Sequence, residues 1–208
     1  MRTEPYLTPE NRESKVDQWL SSIDRKRRWG SGPGNSAVLI LDMQRFFTEK
    51  GGHAYVPSSA AIVPVISNIV EVFGGPIIRT RHLQREDDSN LMTEWWRDRI
   101  EGEASELDPL MAGIPGKVII KEHYSAFHGT DLVEELGELK VDSIIITGVL
   151  TDLCCETTAR DGFMWGFKVY FVADGTATAT EERHLGTLRA VANGFGEVIS
   201  SKELMSRS

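Results

Sequence analysis

From Ser36 onward, short unbroken apolar runs alternate with longer stretches in which apolar residues recur every three or four positions. Ala37-Val-Leu-Ile-Leu41, Pro76-Ile-Ile-Arg-Thr80, Lys117-Val-Ile-Ile120, Ser143-Ile-Ile-Ile-Thr147, Lys168-Val-Tyr-Phe-Val172 and Glu197-Val-Ile-Ser200 have the length of strands. The first is apolar throughout, which predicts a strand buried on both faces. Between the runs, residues 58–73 place Ile62, Val65, Ile66, Ile69 and Phe73 at the helical period. Residues 130–139, 153–165 and 180–192 carry helical patterns too. Strands alternating with helices predict right-handed βαβ crossovers. The expected fold is α/β: a three-layer α-β-α sandwich around a mainly parallel, doubly wound sheet of six strands. Residues 1–35 are largely polar, with Trp19, Leu20 and Ile23 as a short apolar stripe at helical spacing, and they end in Gly30-Ser-Gly-Pro-Gly34. They read as an arm with one short helix, packed on the main domain of residues 36–208 or on a neighbouring subunit.

Composition narrows the functional classes. The 208 residues suit one domain with a three-layer core. Acidic residues number 31 against 23 basic ones, a formal charge of -8, which opposes a nucleic-acid surface. The one dense basic run, Arg25 to Arg28, reads as solvated. No stretch approaches the roughly 20 consecutive apolar residues of a membrane span. Met1 to Pro5 lack the apolar run of a signal peptide, so a cytoplasmic location is expected. The only cysteines, Cys154 and Cys155, are neighbours, which excludes a disulfide framework and zinc-type spacing. Such thiols are either small buried hydrophobes or chemistry.

In an open parallel sheet the site lies beyond the carboxyl ends of the strands, where strand order reverses. Three predicted strand ends carry reactive groups. Asp42 follows the first run, where burial raises a carboxylate's pKa unless a cation or donor is near. Helix capping is the plain alternative. Lys121 ends the third run; lysines are seldom buried unless paired, and Asp42 is its natural partner. After the fourth run, Gly148 leads through a tight turn to Cys154 at a predicted helix start. There the macrodipole and unpaired N–H groups lower a thiol's pKa and can receive an oxyanion. Successive helical residues diverge by about 100°, so Cys155 points elsewhere and reads as core.

Leu41-Asp-Met-Gln44, residues 121–127 (Lys-Glu-His-Tyr-Ser-Ala-Phe) and residues 148–161 together resemble the three signatures of the isochorismatase-like cysteine hydrolases. That superfamily includes nicotinamidases, N-carbamoylsarcosine amidases and ureidoacrylate amidases. By position, Asp42 resembles the general base, Lys121 the cation holding Asp42 and the thiol, and Cys154 the nucleophile. The family's cis peptide maps onto Val149–Leu150, and its oxyanion hole onto the backbone N–H groups of Leu150 and Cys154. The resemblance implies cleavage of a C–N bond in a small amide, carbamoyl or ureido substrate through a thioester. Nicotinamidases of the superfamily bind a metal through an Asp-x-His pair soon after the first motif; residues 48–60 hold His53 but no such pair, so no metal and no cofactor is expected. Isochorismatases have Gly where Cys154 stands, because vinyl-ether hydrolysis needs no thiol. A vinyl-ether hydrolase and a non-catalytic binding member are the alternative readings.

Phe46, His82, Trp96, Tyr124 and Phe127 are candidate pocket lining, with residues 81–88 after a strand end and Met92 to Trp96 resembling the family's loop over the pocket. For each aromatic, core packing is the competing reading. His123, His128 and His184 read as surface or capping residues. The expected partners are a small-molecule substrate and further copies of the chain, as a homodimer or homotetramer, with neither nucleic acid nor membrane.

Overall fold

The computed structural model describes residues 2–30, 32–84 and 91–207. Ser31 in the glycine-rich breaker and residues 85–88 of the expected pocket segment lie outside them. Six strands, β1 (Ser36–Leu41), β2 (Ile77–His82), β3 (Lys117–Lys121), β4 (Ser143–Val149), β5 (Lys168–Ala177) and β6 (Glu197–Ile199), form one sheet in the order β3-β2-β1-β4-β5-β6. Every pairing is parallel, so the sheet is wholly rather than mainly so. The helices are α1 (Arg12–Ser21), α2 (Arg45–Thr48), α3 (Ser59–Val72), α4 (Leu91–Trp96), α5 (Pro109–Ala112), α6 (Leu132–Glu138), α7 (Glu156–Met164), α8 (Glu181–Gly194) and α9 (Ser201–Met205). Among them α3 packs with α9, and α7 packs with α8. Right-handed crossovers put these two pairs on opposite faces of the sheet.

β1 and β4 are buried at every position, as central strands flanked by helices must be. The chain runs outward from β1 to β3, returns to the far side of β1 as β4, and runs outward again. Strand order therefore reverses between β1 and β4, and their carboxyl ends lie side by side. Gly148 makes that contact possible. It pairs with Leu41, at φ +108°, and a Cβ there would meet the Leu41 carbonyl oxygen at 2.1 Å.

β5 runs to Ala177 rather than Val172, through an irregularity in its register with β4. Past Val172 the Asp174 carboxylate accepts the backbone N–H and hydroxyl of Ser201 at 2.7 and 2.6 Å, so α9 satisfies the polar group and extended backbone continues. Residues 2–30 lie against the domain, burying Tyr6, Leu7, Val16, Trp19, Leu20 and Ile23. The basic run is not simply solvated: Arg25 and Arg27 pair with Glu203 of α9 at 2.8 and 3.3 Å, while Arg28 and Trp29 donate backbone N–H groups to Glu197. Among the described residues no helix is long and apolar enough to cross a membrane.

Candidate active site

Asp42 stands one residue past β1 with φ +50°, fully buried. Two contacts with Thr80 of β2 hold it: the Thr80 hydroxyl donates to Asp42 Oδ1 at 2.6 Å, and the Asp42 N–H donates to Thr80 Oγ1 at 3.1 Å. Lys121 ends β3, two strands away, beside His82 in the β2–β3 register. Its long side chain reaches across β2, and Nζ lies 2.7 Å from Asp42 Oδ2, with neither side chain exposed. The same ammonium donates to the His123 carbonyl at 2.9 Å and to Cys154 Sγ at 3.5 Å, and lies 3.4 Å from His82 Nδ1. Burial opposes the charge on Lys121, but Asp42 and Cys154 outweigh it and raise its pKa. It is a cation locked among acceptors.

Cys154 comes from the segment after β4. The Val149–Leu150 peptide is cis, and Thr151–Cys155 forms a π-helical turn leading into α7. The Cys154 thiol, Asp42 carboxylate and His82 imidazole bring one atom each within 4.8 Å of one another. Cys155, also fully buried, directs its sulfur away, toward the Thr147 carbonyl at 4.0 Å. The expected depression of the Cys154 pKa does not hold. Burial pushes the thiol up, Lys121 only partly offsets this, and Asp42 adds to the rise. The resting thiol is therefore protonated beside an Asp42–Lys121 ion pair. A helix terminus acts through partial charges, whereas complete desolvation acts on the whole thiolate charge.

His82 is buried and neutral at pH 7, its pKa lowered to about 4 by burial and by Lys121. Gln44 braces it by donating to the His82 and Ser105 carbonyls at 2.9 and 2.7 Å and accepting the His82 N–H at 2.8 Å. Above Cys154 opens a pocket of about 530 Å³ including its mouth, walled by Phe46, Phe47, Trp96, Tyr124, Leu150 and Leu153. His53, His82, Gln84 and Asp98 add polar atoms. His53 pairs with Asp98 at 3.0 Å and stacks on Phe46, while the Trp96 indole donates to the Tyr124 hydroxyl at 2.7 Å.

Phe46, His82, Trp96 and Tyr124 thus reach the pocket, and Phe127 does not. The Ala126 N–H donates to Thr158 of α7 at 3.0 Å, pressing this segment onto the helix, so Phe127 is buried against Phe167 and Gly162 instead. His184 is no surface residue either: it is wholly buried, while His123 and His128 are exposed. Thr80 and Asp98 escaped sequence reasoning, while Gln44 and His53 entered it only as a motif position and a lone histidine, without a role in the pocket. For Thr80 a signal existed, since a polar residue in an apolar strand aligned with the end of the Leu41 run needs a partner.

Among the described residues, Asp42, His82 and Cys154 are the one group of three close metal-binding atoms. They do not suit a metal, because the Lys121 ammonium already contacts all three at 2.7, 3.4 and 3.5 Å. A divalent ion placed there would meet a buried positive charge.

The isochorismatase domain profile matches residues 36–203. Nicotinamidase 3 of Arabidopsis thaliana is 32% identical over 200 residues, covering 88% of this chain and 96% of that protein. Enterobactin synthase component B of Escherichia coli K12 is 29% identical, over 98% of this chain and 71% of its own length. A cysteine hydrolase structure from Pseudomonas syringae pv. phaseolicola superposes with a TM-score of 0.79 at 31% identity, covering 86% of this chain and 95% of that one. With the sheet order, the strand-end groups and these matches agreeing, the chain is a member of the isochorismatase-domain family of hydrolases.

Proposed function

We propose that this protein is a cysteine-dependent amidohydrolase that cleaves the C–N bond of a small, uncharged amide, carbamoyl or ureido compound through a thioester. One observation carries this reading: a buried thiol, carboxylate and ammonium converge at the base of a mostly apolar pocket. Asp42 takes the thiol proton as Cys154 sulfur attacks the substrate carbonyl. The Lys121 ammonium favours the thiolate as it forms, and the backbone N–H groups of Leu150 and Cys154 receive the oxyanion. Protonated Asp42 then gives its proton to the leaving nitrogen, the C–N bond breaks, and ammonia or an amine departs. Water next loses a proton to Asp42 and attacks the thioester, and the thiol regains its proton as the acid leaves. The raised thiol pKa fits this order of events, since deprotonation is coupled to attack and no free thiolate has to persist.

Vinyl-ether hydrolysis, the alternative reading, leaves the buried thiol beside Asp42 and Lys121 without a task. The likeness to nicotinamidase 3 favours a planar carboxamide, which suits aromatic walls. Ammonia release across a panel of amides and ureido compounds, with isochorismate as comparison, tests the reading. Cys154→Ser should abolish turnover, because a serine hydroxyl is far harder to ionise than a thiol and the Asp42 carboxylate is too weak a base for it. Cys155→Ser should keep most activity and cost about 1–3 kcal/mol through a buried hydroxyl. An active Cys154→Ser enzyme, or turnover of isochorismate alone, would overturn it.

A further inference from the structure

The arm, which lies outside the residues matched by the family profile, is tied to the turn that carries Cys154. Its contacts converge on one place. The Glu4 N–H donates to the Ala179 carbonyl at 2.9 Å, and the Glu4 carboxylate accepts the Glu181 N–H at 2.9 Å. The Tyr6 hydroxyl accepts the Thr178 N–H at 3.0 Å, and the Thr178 hydroxyl in turn donates to Asp152. From α1, Lys15 and the Trp19 indole both bind Glu181, at 2.9 and 2.7 Å. The rings of Tyr6 and Trp19 close over His184, with centroids 5.6 and 4.6 Å from its own. His184 Nδ1 shares a hydrogen bond with the Thr151 hydroxyl at 3.0 Å. Thr151 and Asp152 open the π-helical turn that presents Cys154.

We infer that the N-terminal arm is a positioning device for the nucleophile, acting through two short relays: Tyr6 to Thr178 to Asp152, and Tyr6 and Trp19 to His184 to Thr151. None of these residues lines the pocket or touches the thiol, so they are positioning rather than catalytic residues. Neutral His184, wedged between the aromatic rings, sets the height of Thr151, while the Tyr6 hydroxyl fixes the strand end against which Asp152 rests. A turn held from both sides keeps the sulfur on the line between Asp42 and the substrate carbonyl. The inference rests on Cys154 being the nucleophile. Its test needs no knowledge of the substrate.

The rate at which iodoacetamide alkylates Cys154 is measured by mass spectrometry across pH, well below the melting temperature, for Tyr6→Phe, Thr151→Val, Thr151→Ser and His184→Asn. Tyr6→Phe and Thr151→Val should slow alkylation by about tenfold and lower kcat in step on whichever amide is turned over, with KM within about twofold, since small misplacements of a reacting atom cost rate steeply. Thr151→Ser, which keeps the hydroxyl, should recover most of the loss, whereas His184→Asn, which loses the ring held between Tyr6 and Trp19, should show a loss like that of Thr151→Val. Ile66→Val in α3 serves as a control that lowers melting temperature without changing alkylation. Wild-type rates in Tyr6→Phe and Thr151→Val, or losses no larger than in an equally destabilised Ile66→Val, would overturn the inference. A wild-type Cys154 that resists alkylation while turnover persists would overturn the nucleophile assignment, and this inference with it.

Discussion

Lys121 shows how one side chain can organise a site. A lysine buried without a partner loses its proton, whereas here Asp42, Cys154 and a backbone carbonyl surround the ammonium and keep it charged. Removing it leaves Asp42 as an uncompensated buried charge. Lys121→Ala should therefore cost about 3–5 kcal/mol of stability, visible as a lower urea midpoint. It should also alter the thiol. Lys121 lowers the Cys154 pKa against the effect of burial, so its loss raises that pKa further. The rising limb of the alkylation–pH profile should move to higher pH. A profile that coincides with wild type would show that the ammonium does not tune the sulfur.

At the scale of elements, the site depends on how closely β4 approaches β1. Gly148 adopts a positive φ and leaves no room for a Cβ, which would sit 2.1 Å from the Leu41 oxygen and 2.6 Å from its nitrogen. Both neighbours are backbone, so neither can rotate aside. Gly148→Ala combines backbone strain with a clash in the sheet centre and should destabilise by more than about 4 kcal/mol. Soluble Gly148→Ala protein with an unaltered urea midpoint would refute this. The α7 start is secured differently. Glu156 in its first turn pairs with Arg160 at 2.7 Å and accepts the Thr187 hydroxyl of α8 at 2.7 Å, anchoring the helix just after Cys155.

For the whole molecule, two buried neutral histidines set the response to acid. His82 and His184 have pKa values lowered to about 4 and about 3, in each case by burial first. Both are near 6.5 when unfolded, so below that pH the unfolded chain binds protons that the native protein refuses. Stability should be full above pH 6.5 and fall as pH drops toward 4, by about 1.4 kcal/mol per pH unit for each histidine. Urea unfolding at pH 7.5 and pH 5 checks this, and equal midpoints would contradict it. Activity should also survive exhaustive dialysis against EDTA, because the Lys121 ammonium occupies the centre of the only close donor group among the described residues. Turnover lost to EDTA and restored by added metal would disprove that.

The apolar runs of the sequence were enough to locate all six strands, most plainly β1 and β4, which are buried on both faces, although β3 is exposed at three of its five positions and β5 runs on past its apolar run. Strand ends then pointed to Asp42, Lys121 and the turn before Cys154, since reactive side chains directly after such runs lie at the sheet's mouth. The pattern missed α9, although Ser200 and Glu203 spell a capping box that the structure forms in full. Other features had no local signal. The inward turn of Phe127, the burial of His184 between Tyr6 and Trp19, and the brace of Gln44 on His82 each depend on residues far away in the chain. Tertiary structure also decided the sign of the Cys154 shift. Local sequence reveals a helix start and its dipole, but desolvation is a property of everything packed around the sulfur, and that exists only once the chain has folded.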